Sequence, residues 1–253
     1  MKIDASKTVD SVDLNADVAE GCGQDDKLLT IVSSANVCCG LHAGSYAEML
    51  ATLQLAKQNN VRVGAHPGLN DRENFGRTNQ SLDEGEYRAL MAYQLGATKA
   101  LCDLVGVSLE YVKPHGALYN QAASDEKLSD ILVSEIKRFD PTLKVMGLSG
   151  GYLVKSAKNH GLEVISEVFA DRNYEKDGSL VSRSKDNAVI TDTDEAVKHV
   201  LQMLNEGEVT SICGATVPVE AQSICLHGDG EHAILFAQEI KKQLELQGIE
   251  ISA

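Results

Sequence analysis

Lys113 and His115 stand two residues apart in Tyr111-Val112-Lys113-Pro114-His115-Gly116-Ala117-Leu118-Tyr119-Asn120. Pro114 cannot donate to a sheet ladder, so it ends a short strand at this point. Gly116 then permits a tight turn before a helical run that begins near Leu118. An ammonium placed there can hold an anion or polarise a carbonyl, and an imidazole can move protons near neutral pH. The same placement recurs along the chain. Asp17 ends a first predicted strand, His42 follows a second and His66 a third. Glu167, Asp171 and Arg172 stand at or after a sixth, and His227 with Asp229 follows the last. Of the seven histidines, His42, His66, His115 and His227 follow predicted strands, while His160 and His199 read as ordinary helix residues. In a β/α barrel every strand opens its C-terminal end on one face, and catalysis is found on that face.

Three chemistries fit such a set. One is acyl chemistry on an amide, with histidines and carboxylates as acid and base and Lys113 or Arg172 stabilising charge. Another is metal-assisted hydrolysis, because Asp17, His42, His66, His115 and Asp229 all offer suitable oxygen or nitrogen ligands. No tight His-x-x-x-His spacing supports it. The third is a serine hydrolase, since Gly147-Leu148-Ser149-Gly150-Gly151 matches a strand-to-helix nucleophile elbow. The same glycines suit a tight backbone turn or an anion nest equally well. No Walker A sequence is present.

The elements that must carry these residues alternate in type. Strands are predicted at 12–17, 34–39, 61–66, 111–113, 143–148, 163–170, 209–213 and 223–227. Helices are predicted at 45–59, 83–105, about 118 onward, 125–138, a stretch ending near 160, 193–205 and 231–247. Ser45 with Glu48 three residues on reads as a capping box. This alternation points to parallel βαβ units in one α/β sheet or barrel spanning residues 1–253, with no linker to divide it. Residues 1–11 read as a polar tail or lead-in.

Composition narrows the classes further. The 253 residues carry a net charge of −14, with no tryptophan and four phenylalanines, which argues against nucleic-acid binding. An anionic substrate would need a local basic island. No run of 18 apolar residues is present and no signal-peptide pattern opens the chain, so a cytoplasmic location with no membrane span is expected. Six cysteines without framework spacing suggest reduced and mostly structural thiols, with Cys39 the candidate for reactivity.

Several motifs in order carry a resemblance. They are Leu14-Asn15-Ala16-Asp17, Ser34-Ala35-Asn36, Cys39-Gly40-Leu41-His42-Ala43-Gly44, Gly64-Ala65-His66-Pro67-Gly68 and Asn74-Phe75-Gly76-Arg77. Val112 to Asn120, Glu167 to Arg172 and Leu226-His227-Gly228-Asp229 continue the series. Together they resemble the LamB/YcsF family, which supplies one component of 5-oxoprolinase, from about Leu14 to the C-terminus. The resemblance implies a single distorted β/α barrel of about seven strands, similar in architecture to sugar deacetylases. It also implies ATP-dependent opening of 5-oxo-L-proline to L-glutamate with two further subunits, B and C; homo-oligomerisation is left open. Mg²⁺ would then arrive with ATP, and no tightly bound metal is specified. On that reading Arg72, Arg77, Lys113 and Arg172 are the candidate phosphate ligands, and Asp17, His66, His115 and His227 the acids and bases. The chain departs from the family pattern in residues 5–12, which look inserted, and in Ser45, where the family usually has Asp. The family fold does not use a serine elbow, which counts against Ser149.

Overall fold

Short runs of small and β-branched residues make the strands, and each is cut by a glycine, proline or polar cap. A computed structural model describes residues 9–226 and 233–253. The first six strands are β1 (Ser11–Val18), β2 (Ser34–Cys38), β3 (Arg62–His66), β4 (Leu109–Val112), β5 (Lys144–Leu148) and β6 (Val164–Phe169). β7 (Glu208–Thr210) and β8 (Thr216–Pro218) form a separate antiparallel hairpin. β9 (Ser223–Leu226) then pairs in parallel with both β6 and β1, closing a seven-stranded parallel barrel in the order β1-β2-β3-β4-β5-β6-β9. The fold is therefore the β/α barrel expected. The run at 209–213 is not a barrel strand, because Gly214 turns it back on 216–218.

Helices cover the outside: α1 (Asp25–Leu28), α2 (Tyr46–Gln58), α3 (Glu84–Val105), α4 (Gly116–Ser124), α5 (Glu126–Phe139), α6 (Tyr152–Asn159), α7 (Thr193–Glu206) and α8 (Ala233–Leu246). Ser45 caps α2 by accepting from the Glu48 N–H, and its own hydroxyl donates to the Glu48 carboxylate at 2.8 Å. Asp83, Asp125 and Asp192 cap α3, α5 and α7 in the same way, each accepting from the N–H three residues on. A final strand, β10 (Glu250–Ile251), pairs with Ser11 and Val12. Part of the supposed polar lead-in is thus barrel strand, and Asp10 is tied to Glu250 by a backbone hydrogen bond of 2.9 Å. Residues 1–8 lie outside the described residues. No helix among the described residues is long and apolar enough to cross a membrane.

Strand alternation aims every second side chain into the barrel. Here much of that interior is polar, with a small apolar cluster of Tyr111, Met146 and Ile165 among the polar layers. Near the strand N-termini, Asp13 accepts from Ser33, Ser34 and Ser223 and pairs with Arg62 at 2.9 Å. One layer up, Tyr111 donates to Asn36 Oδ1 at 2.6 Å, and Asn36 donates to Asn15 Oδ1 at 2.7 Å. Gly64 makes room for that layer, because a Cβ there would lie 2.2 Å from the Tyr111 ring. The apolar cores lie between strands and helices instead, one gathered on β1, β2, α2, α7 and α8 and another on α3 to α6.

Candidate active site

At the C-terminal mouth the interior ladder ends in a buried charge cluster. Lys113, just past β4, is 2% exposed and Glu167 of β6 is 0% exposed. The Lys113 Nζ lies 2.7 Å from Glu167 Oε1, 3.1 Å from Asp17 Oδ1 and 3.1 Å from Asn15 Oδ1. The ammonium donates to Asn15 and Asp17, has the Cys225 Sγ at 3.3 Å, and pairs with Glu167 by charge. Burial disfavours its charge, but Asp17 and Glu167 outweigh that and hold its pKa well above the ordinary lysine value. The ammonium is thereby held charged between these two carboxylates. Glu167 also accepts from the Tyr119 hydroxyl at 2.6 Å, and burial beside that carboxylate keeps Tyr119 protonated. Asp17 Oδ1 is further held by Asn36 Nδ2 at 2.8 Å, while Asp17 Oδ2 lies 3.3 Å from His66 Nε2.

Three histidines meet beside Asp17. His66 Nδ1 donates to the Lys113 carbonyl at 2.7 Å, and His115 Nε2 donates to the Phe75 carbonyl at 2.8 Å. The other ring nitrogens, His66 Nε2 and His115 Nδ1, then face one another at 2.9 Å. His42 stacks on His115 with centroids 3.8 Å apart, and its Nε2 lies 3.1 Å from Glu20 Oε1. Burial, then the neighbouring His66, depresses His115 to about 3. Burial likewise drives His42 down, reinforced by His115 and His66. Gly68 is needed for this packing, since a Cβ there would meet His42 Nδ1 at 2.3 Å. One ligand atom each from Glu20, His42, His66 and His115 falls within 4.8 Å of the others, so these four could hold a metal ion.

The cluster floors a cleft of about 1250 Å³. Asp17, His66, Lys113, His115 and Phe169 line its floor, and Arg77, Lys155, Lys176 and Arg183 line its walls. That is the basic island an acidic chain would need for an anion.

The expected residues separate by location. Asp17, His42, His66, Lys113, His115 and Glu167 come together. Arg77 lines the cleft with its guanidinium 4.9 Å from the Phe75 ring centre. Arg172 borders the cleft but is buried and donates to the carbonyls of Val181 at 2.5 Å and Ala188 at 3.2 Å. Burial, then Arg183, lowers its pKa. Arg172 thus fastens the loop after β6. Asp171 stands in the same loop, its carbonyl accepting from Ile190 at 2.8 Å. Arg72 donates to the carbonyls of Gly40, Ala43 and Gly44 at 2.6–3.2 Å and does not line the cleft. Its placement gives a phosphate role no support. His227 and Asp229 lie outside the described residues.

Ser149 lines the cleft, but its hydroxyl accepts from the Glu220 N–H at 2.7 Å, and no histidine bonds it among the described residues. Cys39 is buried, and burial pushes its thiol up to about 12, which disfavours the thiolate that a nucleophile needs. Glu20 joins the histidines without any sequence motif to mark it. Ala19 adopts a left-handed backbone (φ 59) that turns Glu20 back over the mouth, and only a Gly or Asn there would have signalled it.

Comparison with known proteins agrees with this geometry. The model of the LamB/YcsF family matches residues 12–253. A protein of Histophilus somni, named as the A-type subunit of 5-oxoprolinase, is 55% identical over 242 residues, spanning 96% of this chain and 98% of that one. A crystal structure of a lactam utilization protein from Thermus thermophilus superposes with a TM-score of 0.89 at 39% identity, covering 96% of this chain and 99% of that one. A family 4 carbohydrate esterase from Streptomyces lividans shares the fold alone, with a TM-score of 0.53 at 11% identity over 96% of this chain and 92% of that one.

Proposed function

The chain belongs to the LamB/YcsF family, and we propose that it is the lactam-handling subunit of an ATP-dependent 5-oxoprolinase. In this reading it opens 5-oxo-L-proline to L-glutamate together with two further subunits, B and C. The observation that carries the proposal is the set of Asp17, His66 and His115 at the floor of a cleft with basic walls. The relatives' names supply the substrate class.

A five-membered lactam is a stable amide with a poorly electrophilic carbonyl. Phosphorylation of its oxygen by ATP gives an imidate-type phosphate. Addition of water and expulsion of the ring nitrogen then leave an acyl phosphate, which hydrolyses to glutamate and phosphate. The chemistry needs a base for water, an acid for the departing nitrogen and cations for anionic groups. Asp17, fixed by Lys113 and Asn36, suits the base. His115, with its Nε2–H engaged by Phe75, presents the Nδ1 lone pair at the cleft floor. The cleft's size and the basic side chains Arg77, Lys155, Lys176 and Arg183 suit a substrate carboxylate and the nucleotide phosphates. Lys113 is a positioning residue: its donors hold Asp17 and Glu167 in register. Mg²⁺ would come with the nucleotide.

Reconstitution with the two partner subunits tests the proposal. His115→Ala should abolish ATP-coupled glutamate formation while leaving assembly intact. Wild-type rates in that variant would remove His115 from the reaction. Calorimetry of the isolated chain with 5-oxo-L-proline reports whether the lactam binds here, and absence of binding with or without the partners would refute the assignment.

A further inference from the structure

We infer that Glu20, His42, His66 and His115 form a site for one divalent transition-metal ion, with zinc the fitting case. A carbonyl oxygen can only accept, so the Lys113 carbonyl at 2.7 Å puts a proton on His66 Nδ1. The Phe75 carbonyl at 2.8 Å likewise puts one on His115 Nε2. In neutral rings that leaves His66 Nε2 and His115 Nδ1 bare, yet they face each other at 2.9 Å. Two lone pairs at that distance need a cation between or beside them, a metal ion or a shared proton.

The surroundings supply more acceptors. Glu20 Oε1 lies 3.1 Å from His42 Nε2, 3.3 Å from His115 Nδ1 and 3.9 Å from His66 Nε2. Asp17 Oδ2 adds a second carboxylate 3.3 Å from His66 Nε2. Tetrahedral zinc with bonds of roughly 2.0–2.1 Å sets its ligand atoms about 3.3–3.4 Å apart. That spacing falls inside the 2.9–3.9 Å of the four separations just given, and all four atoms lie within 4.8 Å of one another. Three imidazoles and a carboxylate are the borderline donor set such ions take. The carbonyls behind His66 and His115 are the outer partners that fix a ligating histidine's tautomer.

Since His66, His115 and Asp17 line the cleft, a bound ion would stand within reach of a substrate carbonyl or water. The inference stands on geometry alone and does not depend on the lactam reading.

The test uses the purified full chain, stripped with chelator and titrated with ZnCl₂ alone by calorimetry. One zinc per chain is expected, confirmed by elemental analysis after dialysis. His115→Gln should weaken binding by about 100-fold, and Glu20→Gln by 10- to 100-fold. Zinc should also raise the melting temperature of wild type and not that of the double variant carrying both changes. Cobalt substitution reads the site without any variant, through visible bands of nitrogen and oxygen coordination. Absence of stoichiometric zinc on wild type would overturn the assignment and leave a shared proton between the two nitrogens. So would unchanged affinity in the double variant, or a cobalt spectrum without imidazole ligation.

Discussion

Replacing Lys113 by methionine keeps the side chain's length and removes the charge shared by Glu167 and Asp17. Both Lys113 and Glu167 are buried, and the ammonium is 2.7 Å from one carboxylate and 3.1 Å from the other. Breaking a buried pair from one side leaves an uncompensated charge and costs about 3–5 kcal/mol. For a chain of this size that corresponds to a fall in melting temperature of roughly 6–20 °C. Adding Glu167→Gln to the variant should recover most of the loss, because the amide needs no counter-charge and still accepts from Tyr119. The pH dependence has a definite sign. A lysine with a raised pKa contributes fully below its unfolded value of about 10.4 and loses that contribution only as pH climbs through the folded one. The wild-type contribution is therefore flat between pH 5 and 8. Urea denaturation of the full chain at both pH values reads all of this. A loss under about 1 kcal/mol, or a second substitution that deepens the loss, would refute the reasoning.

Three further outcomes are expected. Tyr111→Phe strips Asn36 Oδ1 of its donor at 2.6 Å in a closed interior, and thermal melts should show a loss of about 1–3 kcal/mol. A thiol reagent on the native chain should modify the exposed Cys22 and Cys213 and spare Cys38, Cys39, Cys102 and Cys225 until denaturation. Cys213 should react first, because the Ser211 hydroxyl lowers its pKa; mass spectrometry of the digest identifies the sites, and early labelling of Cys39 would contradict the burial described. Arg172→Ala frees the carbonyls of Val181 and Ala188, so limited proteolysis should cut within residues 171–190 earlier than in wild type while the barrel survives. An unchanged cleavage rate would show that Arg172 does not fasten the loop.

The barrel is readable because six of its strands are short runs of small or branched residues ended by Gly, Pro or polar caps, and long helices with Asp or Ser caps separate most of them. The hairpin of β7 and β8 escapes such a reading because Val209 to Cys213 has the composition of a buried strand, and only its partner across Gly214 shows otherwise. Lys113 is found by its position at a strand end, but its role is not, since sequence does not show that Glu167, Asp17 and Asn15 converge on it. Arg72 and Arg172 stand out in the sequence as charges, but that backbone carbonyls engage both follows from loop geometry that the sequence does not show. Glu20 is invisible for a related reason, because the turn that aims it rests on a left-handed alanine rather than a glycine.

In the proposed reaction the lactam is opened on the floor formed by Asp17, His66 and His115. The most direct measurement is single-turnover glutamate formation from 5-oxo-L-proline and ATP by the assembled complex carrying Asp17→Asn. That change keeps the shape of the side chain and an oxygen acceptor for Lys113 while removing the base. A fall of at least about 100-fold in the chemical step, with lactam binding and assembly retained, is predicted. A rate within about twofold of wild type would contradict it, since loss of a general base costs on the order of 100-fold or more.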